Sequence, residues 1–208
     1  MKQRLILFGG SFDPVHKGHV AVAQSALEQM GGDRIVFVVA KRSPHKNVYP
    51  VASGEDRAAM VRLAIDGREK FAVSDCELYR EEPSYTFDTV EHFRREYGEE
   101  TELCWLIGAD MIGDLPRWYR VGELLEMCTV CTMYRGGVGR PDFSECGGLG
   151  TEVVDKLREN VVATPFIEVS STSIRSKLPM CGGTCADLCP EVMEYIRKKG
   201  LYGVGGRI

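Results

Sequence analysis

The chain has 208 residues, of which 44% are hydrophobic and 27% charged, and a formal net charge of −4. That length gives one domain with a sizeable core as the default, and the mild negative charge argues against a protein held to nucleic acid mainly by phosphate contacts. No run approaches the roughly 18 apolar residues of a membrane span, and the N-terminus enters a strand-like segment without signal-peptide architecture. A cytoplasmic protein with no membrane or nucleic-acid partner is expected.

The apolar run Leu5-Ile6-Leu7-Phe8 reads as a buried strand. Gly9-Gly10-Ser11-Phe12-Asp13-Pro14-Val15-His16-Lys17-Gly18-His19 follows, and Ala23, Ala26, Leu27 and Met30 then repeat at helical spacing. The eleven residues are therefore a strand-to-helix turn. Its glycines allow close backbone approach to a ligand, and the new helix offers free N–H groups suited to phosphate. His16 and His19 lie three apart and can face one bound group. A metal would need further ligands, and none is near in sequence. Phosphate contact is the preferred reading, ahead of a purely structural role.

Arg34 to Ala40 reads as a second buried strand, which makes a βαβ unit with a parallel pair. Lys41-Arg42-Ser43-Pro44-His45-Lys46 then falls at the carboxyl edge, where open α/β sheets bind ligands. It suits an anionic substrate as well as it suits a solvated charge run. Ser53 caps a helix that Gly67 stops, and Phe71-Ala72-Val73 reads as a strand. Thr86 is the expected N-cap of a helix carrying Val90, Phe93 and Tyr97. Ser84-Tyr85-Thr86 is either that cap alone or, at the binding edge, a seat for a small carboxylate.

Leu103 to Asp110 is another buried strand, ending in Gly108 and a carboxylate. Asp110 there fits a ribose-binding acid and a helix N-cap equally well. Trp118-Tyr119 sits between Arg117 and Arg120, either as core aromatics or as rings for stacking on a heteroaromatic. Val121 to Met127 reads as helix and Thr129 to Tyr134 as strand. Arg135 follows at the strand end, as a phosphate ligand or a solvated loop residue. Gly136 to Gly150 has six glycines and reads as a mobile loop or excursion. Thr151 is expected to cap a helix to Asn160, and Val161 to Val169 to form a last strand broken by Pro165. Ser170-Ser171-Thr172-Ser173-Ile174-Arg175 opens a helix, as plain caps or as a phosphate site with a fixed cation. Pro190 and Gly200 bound a C-terminal helix.

Eight cysteines are present. Cys128 and Cys131 spell a C-x-x-C, but an offset of three along a strand sends the two thiols to opposite faces. Cys181, Cys185 and Cys189 recur every four residues, yet Gly182, Gly183 and Pro190 oppose one regular helix through them. Free thiols in a reducing cytosol are expected, with no bound metal.

The first motif resembles the G-[ST]-F-D-P-x-H-x-G-H signature of the nucleotidyltransferase superfamily of adenylyl- and cytidylyltransferases. Ser170 to Arg175 resembles its late S-S-T-x-I-R motif. Ser84-Tyr85-Thr86, and Ile107 to Asp110 through Trp118-Tyr119, resemble bacterial nicotinate-nucleotide adenylyltransferases; Pro44-His45-Lys46 is similar to the P-x-K element that reaches substrate phosphate. The resemblance spans Leu5 to Tyr202 and is poorest over Gly136 to Gly150. It implies a single Rossmann-like α/β domain, a doubly wound and mostly parallel sheet with helices on both faces. It also implies ATP and nicotinate mononucleotide as substrates, deamido-NAD and pyrophosphate as products, and Mg²⁺ with the ATP. His16, His19 and Arg175 would be catalytic. Gly9, Gly10, Ser11, Phe12, Gly18, Ser171 and Thr172 would complete the ATP site. Lys46, Ser84, Tyr85, Thr86, Gly108, Asp110, Trp118, Tyr119 and Arg135 would hold the mononucleotide. The alternatives are a sister transferase using phosphopantetheine, glycerol phosphate or nicotinamide mononucleotide, and a nucleotide-sensing module without turnover. The sequence leaves the oligomeric state open, a homo-oligomer included.

Overall fold

A computed structural model describes residues 2–42, 48–135, 140–165, 167–180 and 184–205, with the side chain of residue 135 excepted. Among the described residues six strands form one sheet: β1 (Arg4–Gly10), β2 (Arg34–Val39), β3 (Phe71–Ser74), β4 (Glu102–Gly108), β5 (Thr129–Arg135) and β6 (Val161–Thr164). Their order is β3-β2-β1-β4-β5-β6, and every neighbouring pair is parallel. The order reverses between β1 and β4, which opens a crevice at their carboxyl ends.

Alternation along the strands builds two cores. Ile6, Phe8, Ile35, Phe37, Leu106 and Cys131 face one layer, while Leu5, Leu7, Val36, Val38, Trp105 and Val130 face the other. The first layer is closed by α1 (Lys17–Gln29), α2 (Gly54–Ala64), α6 (Ser171–Lys177) and α7 (Pro190–Lys199), through Ala23, Val61, Ile174 and Ile196. The second is closed by α3 (Thr86–Tyr97), α4 (Val121–Met127) and α5 (Thr151–Glu159), through Phe93, Leu124 and Leu157. This is the doubly wound Rossmann-like arrangement that the family resemblance implies. Cys128 and Cys131 fall in different layers, as the strand offset requires. The described cysteines are free thiols.

Several local expectations shift. Tyr85, not Thr86, is the N-cap of α3, and Thr86 is its first helical residue. Gly150, with φ of 90°, precedes α5 in place of Thr151. Asp110 lies inside a 3-10 helix, Ala109–Arg117, whose N-cap is Gly108. The glycine-rich stretch holds a second 3-10 helix, Ser144–Leu149, because Phe143 and Cys146 find core partners and are buried; positions 136–139 lie outside the described residues. The last strand stops at Thr164, before Pro165, which has no N–H to extend a ladder. The Gln29 side chain meets β6 in a two-way amide pair, donating to Ala163 O at 2.6 Å and accepting from Ala163 N at 3.1 Å. It covers this edge much as another strand would. No described helix is long and apolar enough to cross a membrane.

Candidate active site

A cleft of about 800 Å³ opens over the β1/β4 switch point. Gly9, Gly10, Ser11, Phe12, His16 and His19 form its floor, and Ser171, Thr172 and Arg175 form one wall. Ser84, Thr86, Gly108, Asp110 and Trp118 line another part. A smaller cavity of about 490 Å³ shares His16, His19, Gly108 and Asp110 and adds Gly18. The structure thus gathers residues as far apart in sequence as Asp13 and Arg175, 162 positions, around one crevice. Tyr85 and Tyr119 are not in the lining; their rings stack at 4.6 Å, joining the Ser84-Tyr85-Thr86 turn to the Trp118 loop. Lys46 lies outside the described residues, as does the side chain of Arg135.

The two histidines cap α1 reciprocally. His19 N donates to His16 Nδ1 at 3.4 Å, and His16 N donates to His19 Nδ1 at 3.2 Å. This is a capping box built from imidazoles, with both orphan N–H groups satisfied. An Nδ1 that accepts from a backbone N–H carries no proton, so each neutral ring carries its proton on Nε2. The rings stack at 3.7 Å, and two stacked imidazolium ions would repel. Burial holds His16 down to about 4, against the pull of the Asp187 carboxylate, so His16 is neutral at pH 7. The helix start therefore presents neutral Nε2–H donors at fixed positions. Gly18 makes this possible, since a Cβ there would stand 2.8 Å from Val169 and 3.0 Å from His16 Nδ1. Phe12 holds the arrangement from below, edge-on to His19 at 5.1 Å and packed on Phe8 and Phe37.

The late motif is bolted to the first one. Ser171 Oγ donates to Pro14 O at 2.9 Å, and Arg175 Nη1 donates to Asp13 O at 2.7 Å. Arg175 Nη2 meets Thr172 Oγ1 at 3.3 Å. Ser170 caps α6 by accepting from Ser173 N at 3.1 Å. The guanidinium thus sits at the cleft wall on a rigid support.

A cytidylyltransferase-like family model matches residues 7–177. A protein of Gloeobacter violaceus named probable nicotinate-nucleotide adenylyltransferase is 39% identical over 98% of both chains. One of the same name from Clostridium tetani is 35% identical over 97% of this chain and all of its own. The chain belongs to the nicotinate-nucleotide adenylyltransferase family. The fold is shared with Plasmodium falciparum nicotinic acid mononucleotide adenylyltransferase complexed with NaAD, at a TM-score of 0.70 and 18% identity over 99% of this chain.

In this adenylyltransferase-family chain, sequence reasoning passed over the groups that brace the site. Asp13 is 4% exposed. Its carboxylate accepts from Val51 N at 2.8 Å, Ala52 N at 3.1 Å and Tyr202 Oη at 2.7 Å. Burial and this bond to Asp13 push the Tyr202 phenol well up, so it stays a donor. Arg57, 2% exposed, donates to Ser11 O and Ala40 O, both at 2.7 Å, and to Ala52 O at 3.2 Å. Asp13 and Arg57 thereby fix the first motif to the segment that follows β2. Asp13 was visible within the motif itself; Arg57 and Tyr202 carry no local signal, because the motif groups they hold, Ser11 O and the Asp13 carboxylate, lie 46 and 189 positions away.

Proposed function

We propose that the protein transfers the adenylyl group of ATP to nicotinate mononucleotide, giving deamido-NAD and pyrophosphate in cytoplasmic NAD biosynthesis, with the whole chain acting as one nucleotidyltransferase domain. The reciprocal histidine cap at the cleft floor carries this reading. It supplies preorganised neutral donors beside a helix N-terminus, which suit a phosphate whose charge grows in the transition state.

The mononucleotide phosphate oxygen attacks the α-phosphorus of ATP. One P–O bond forms as the bond to the leaving pyrophosphate breaks, so no protein nucleophile is needed. His16 and His19 donate from Nε2 to the reacting phosphate. Ser171, Thr172 and Arg175 hold the leaving phosphates, with Gly9, Gly10, Ser11, Phe12 and Gly18 shaping the ATP seat. Trp118 stacks on the pyridine ring, and the start of α3, with Ser84, Tyr85, Thr86 and Tyr119, takes its carboxylate. Lys46 and Arg135 are assigned to the mononucleotide phosphate, and Gly108 and Asp110 to its ribose. Catalysis is then positioning and charge stabilisation.

Adenylyl transfer from ATP generally uses a divalent ion, and Mg²⁺ fits here. Among the described residues no cluster of three His, Cys, Asp or Glu is placed to cage a metal. Of the two carboxylates lining the cleft, Asp13 is engaged by the backbone and Tyr202, while Asp110 is exposed. That donor set would suit an ion carried on the triphosphate rather than one caged by protein side chains. When bound, the ion offsets phosphate charge.

The test is pyrophosphate release from ATP and Mg²⁺ with nicotinate mononucleotide, nicotinamide mononucleotide, phosphopantetheine or glycerol phosphate as acceptor. The expected result is rapid release with nicotinate mononucleotide. Faster release with phosphopantetheine or glycerol phosphate, or none with any acceptor, would overturn the reading.

A further inference from the structure

Behind the Ser84-Tyr85-Thr86 turn lies a buried polar unit with no part in the chemistry above. Glu77, in the 3-10 turn Cys76–Tyr79 after β3, is 4% exposed, and Thr89, one turn into α3, is fully buried. Thr89 Oγ1 donates to Glu77 Oε1 at 2.6 Å. Arg80 Nη2 donates to the same hydroxyl and stands 3.7 Å from the Glu77 carboxylate. The Thr89 hydroxyl is also 3.2 Å from Tyr85 O, which accepts from Thr89 N at 3.3 Å. Tyr85 is the N-cap of α3 and makes no side-chain capping bond, so the link from this unit to the turn runs through the Tyr85 carbonyl.

The unit reaches further. Arg80 O accepts from Lys41 Nζ at 2.9 Å, and Ser84 N donates to Arg42 O at 3.1 Å. The root of the segment after β2, the turn and the first turn of α3 therefore hang on one network. A buried carboxylate is costly unless fully bonded, and apolar side chains would fill this space at lower cost. Burial pushes the Glu77 carboxyl up, with Thr89 and Arg80 acting against that rise.

We propose that Glu77, Arg80 and Thr89 are positioning residues that set the mononucleotide pocket, and with it the preference for an acid over an amide at the pyridine ring. This rests on the function proposed above. The N–H groups at the start of α3 discriminate only if they stand where the substrate carboxylate lands. Thr89 is the member that ties them to the turn. The ATP side of the cleft shares none of these bonds.

Steady-state kinetics of Thr89→Val and Thr89→Ser provide the test, with Glu77→Gln as a third variant. Thr89→Val keeps the shape and removes the hydroxyl. It should raise the KM for nicotinate mononucleotide roughly tenfold, the scale of one lost hydrogen bond to a charged group, and lower the nicotinate-over-nicotinamide ratio of kcat/KM by a similar factor. The KM for ATP and kcat at saturation should stay within about twofold. Thr89→Ser should restore wild-type values, and Glu77→Gln should fall between. An unchanged KM in Thr89→Val, a parallel change in both KM values, or no rescue by serine would overturn the proposal. Wild-type turnover of nicotinate mononucleotide is measured alongside. If wild type turns it over and Thr89→Val is normal, only this inference fails; if wild type does not, the parent reading fails and takes this with it.

Discussion

Replacing His19 with asparagine separates the two jobs of the imidazole. Asparagine Oδ1 occupies the place of Nδ1 and can still accept from His16 N, a bond of 3.2 Å in the native site. The Nε2–H donor is gone. Alanine removes both. Each variant also loses the ring contacts to His16 at 3.7 Å and to Phe12 at 5.1 Å, so the difference between them isolates the cap. Losing a capping acceptor costs about 1 kcal/mol, which for a domain of this size lowers Tm by roughly 2–4 °C. Losing a transition-state donor costs about 10²–10³-fold in kcat. Both variants should therefore lose turnover to a similar degree, with little change in the KM for ATP, while alanine melts lower than asparagine by that interval. Calorimetry and steady-state pyrophosphate release measure the two effects. A His19→Asn enzyme turning over within about threefold of wild type would refute the assignment of Nε2 as a donor to the reacting phosphate.

Trp118→Ala should weaken nicotinate mononucleotide by about 1–3 kcal/mol, the scale of stacking on an aromatic ring, and leave ATP unchanged in titration calorimetry; equal losses would place the ring elsewhere. Arg175→Ala should weaken ATP more than the mononucleotide. Arg175→Lys should not rescue it, because one ammonium cannot span Asp13 O and Thr172 Oγ1 as the guanidinium does; full rescue by lysine would contradict this geometry. The folded-state value of His16, about 4, lies below the ordinary 6.5. The unfolded chain thus takes up the proton first, and stability present above pH 6.5 is lost as pH falls towards 4, by roughly 3 kcal/mol. Urea midpoints between pH 7 and 4.5 should fall less steeply in His16→Asn than in wild type, and parallel slopes would contradict the burial argument.

The alternation of the fold was legible because each strand is a short apolar run and each helix repeats at helical spacing, as in Leu5 to Phe8 followed by Ala23, Ala26 and Leu27. Strand order followed less directly. The βαβ unit fixed the β1–β2 pairing, whereas the neighbourhood of β1 and β4 is a long-range outcome. Helix starts shifted by one residue at Thr86 and Thr151, where backbone geometry outweighed the hydroxyl preference. The glycine-rich stretch misled for a different reason. Cys146 Sγ meets Ile112 O at 3.4 Å and Phe143 enters the core, so tertiary contacts order a segment that composition alone reads as loop. At the site, the floor and one wall of the cleft come from two motifs that were legible together, and Ser84, Thr86, Gly108, Asp110 and Trp118 add stretches read singly. The braces Asp13–Tyr202, Arg57 and Glu77–Thr89 join positions whose partners local patterning does not reveal.

The central claim is adenylyl transfer to a nicotinate nucleotide, and ATP labelled at the α-phosphorus follows that bond directly. Incubated with enzyme, Mg²⁺ and nicotinate mononucleotide, the label should appear in deamido-NAD, with unlabelled pyrophosphate formed in equal amount. At matched ATP, nicotinamide mononucleotide should react with a kcat/KM at least roughly tenfold lower. Label recovered only in free AMP, or no consumption of ATP, would contradict the transfer, and equal rates for the two mononucleotides would contradict the nicotinate assignment.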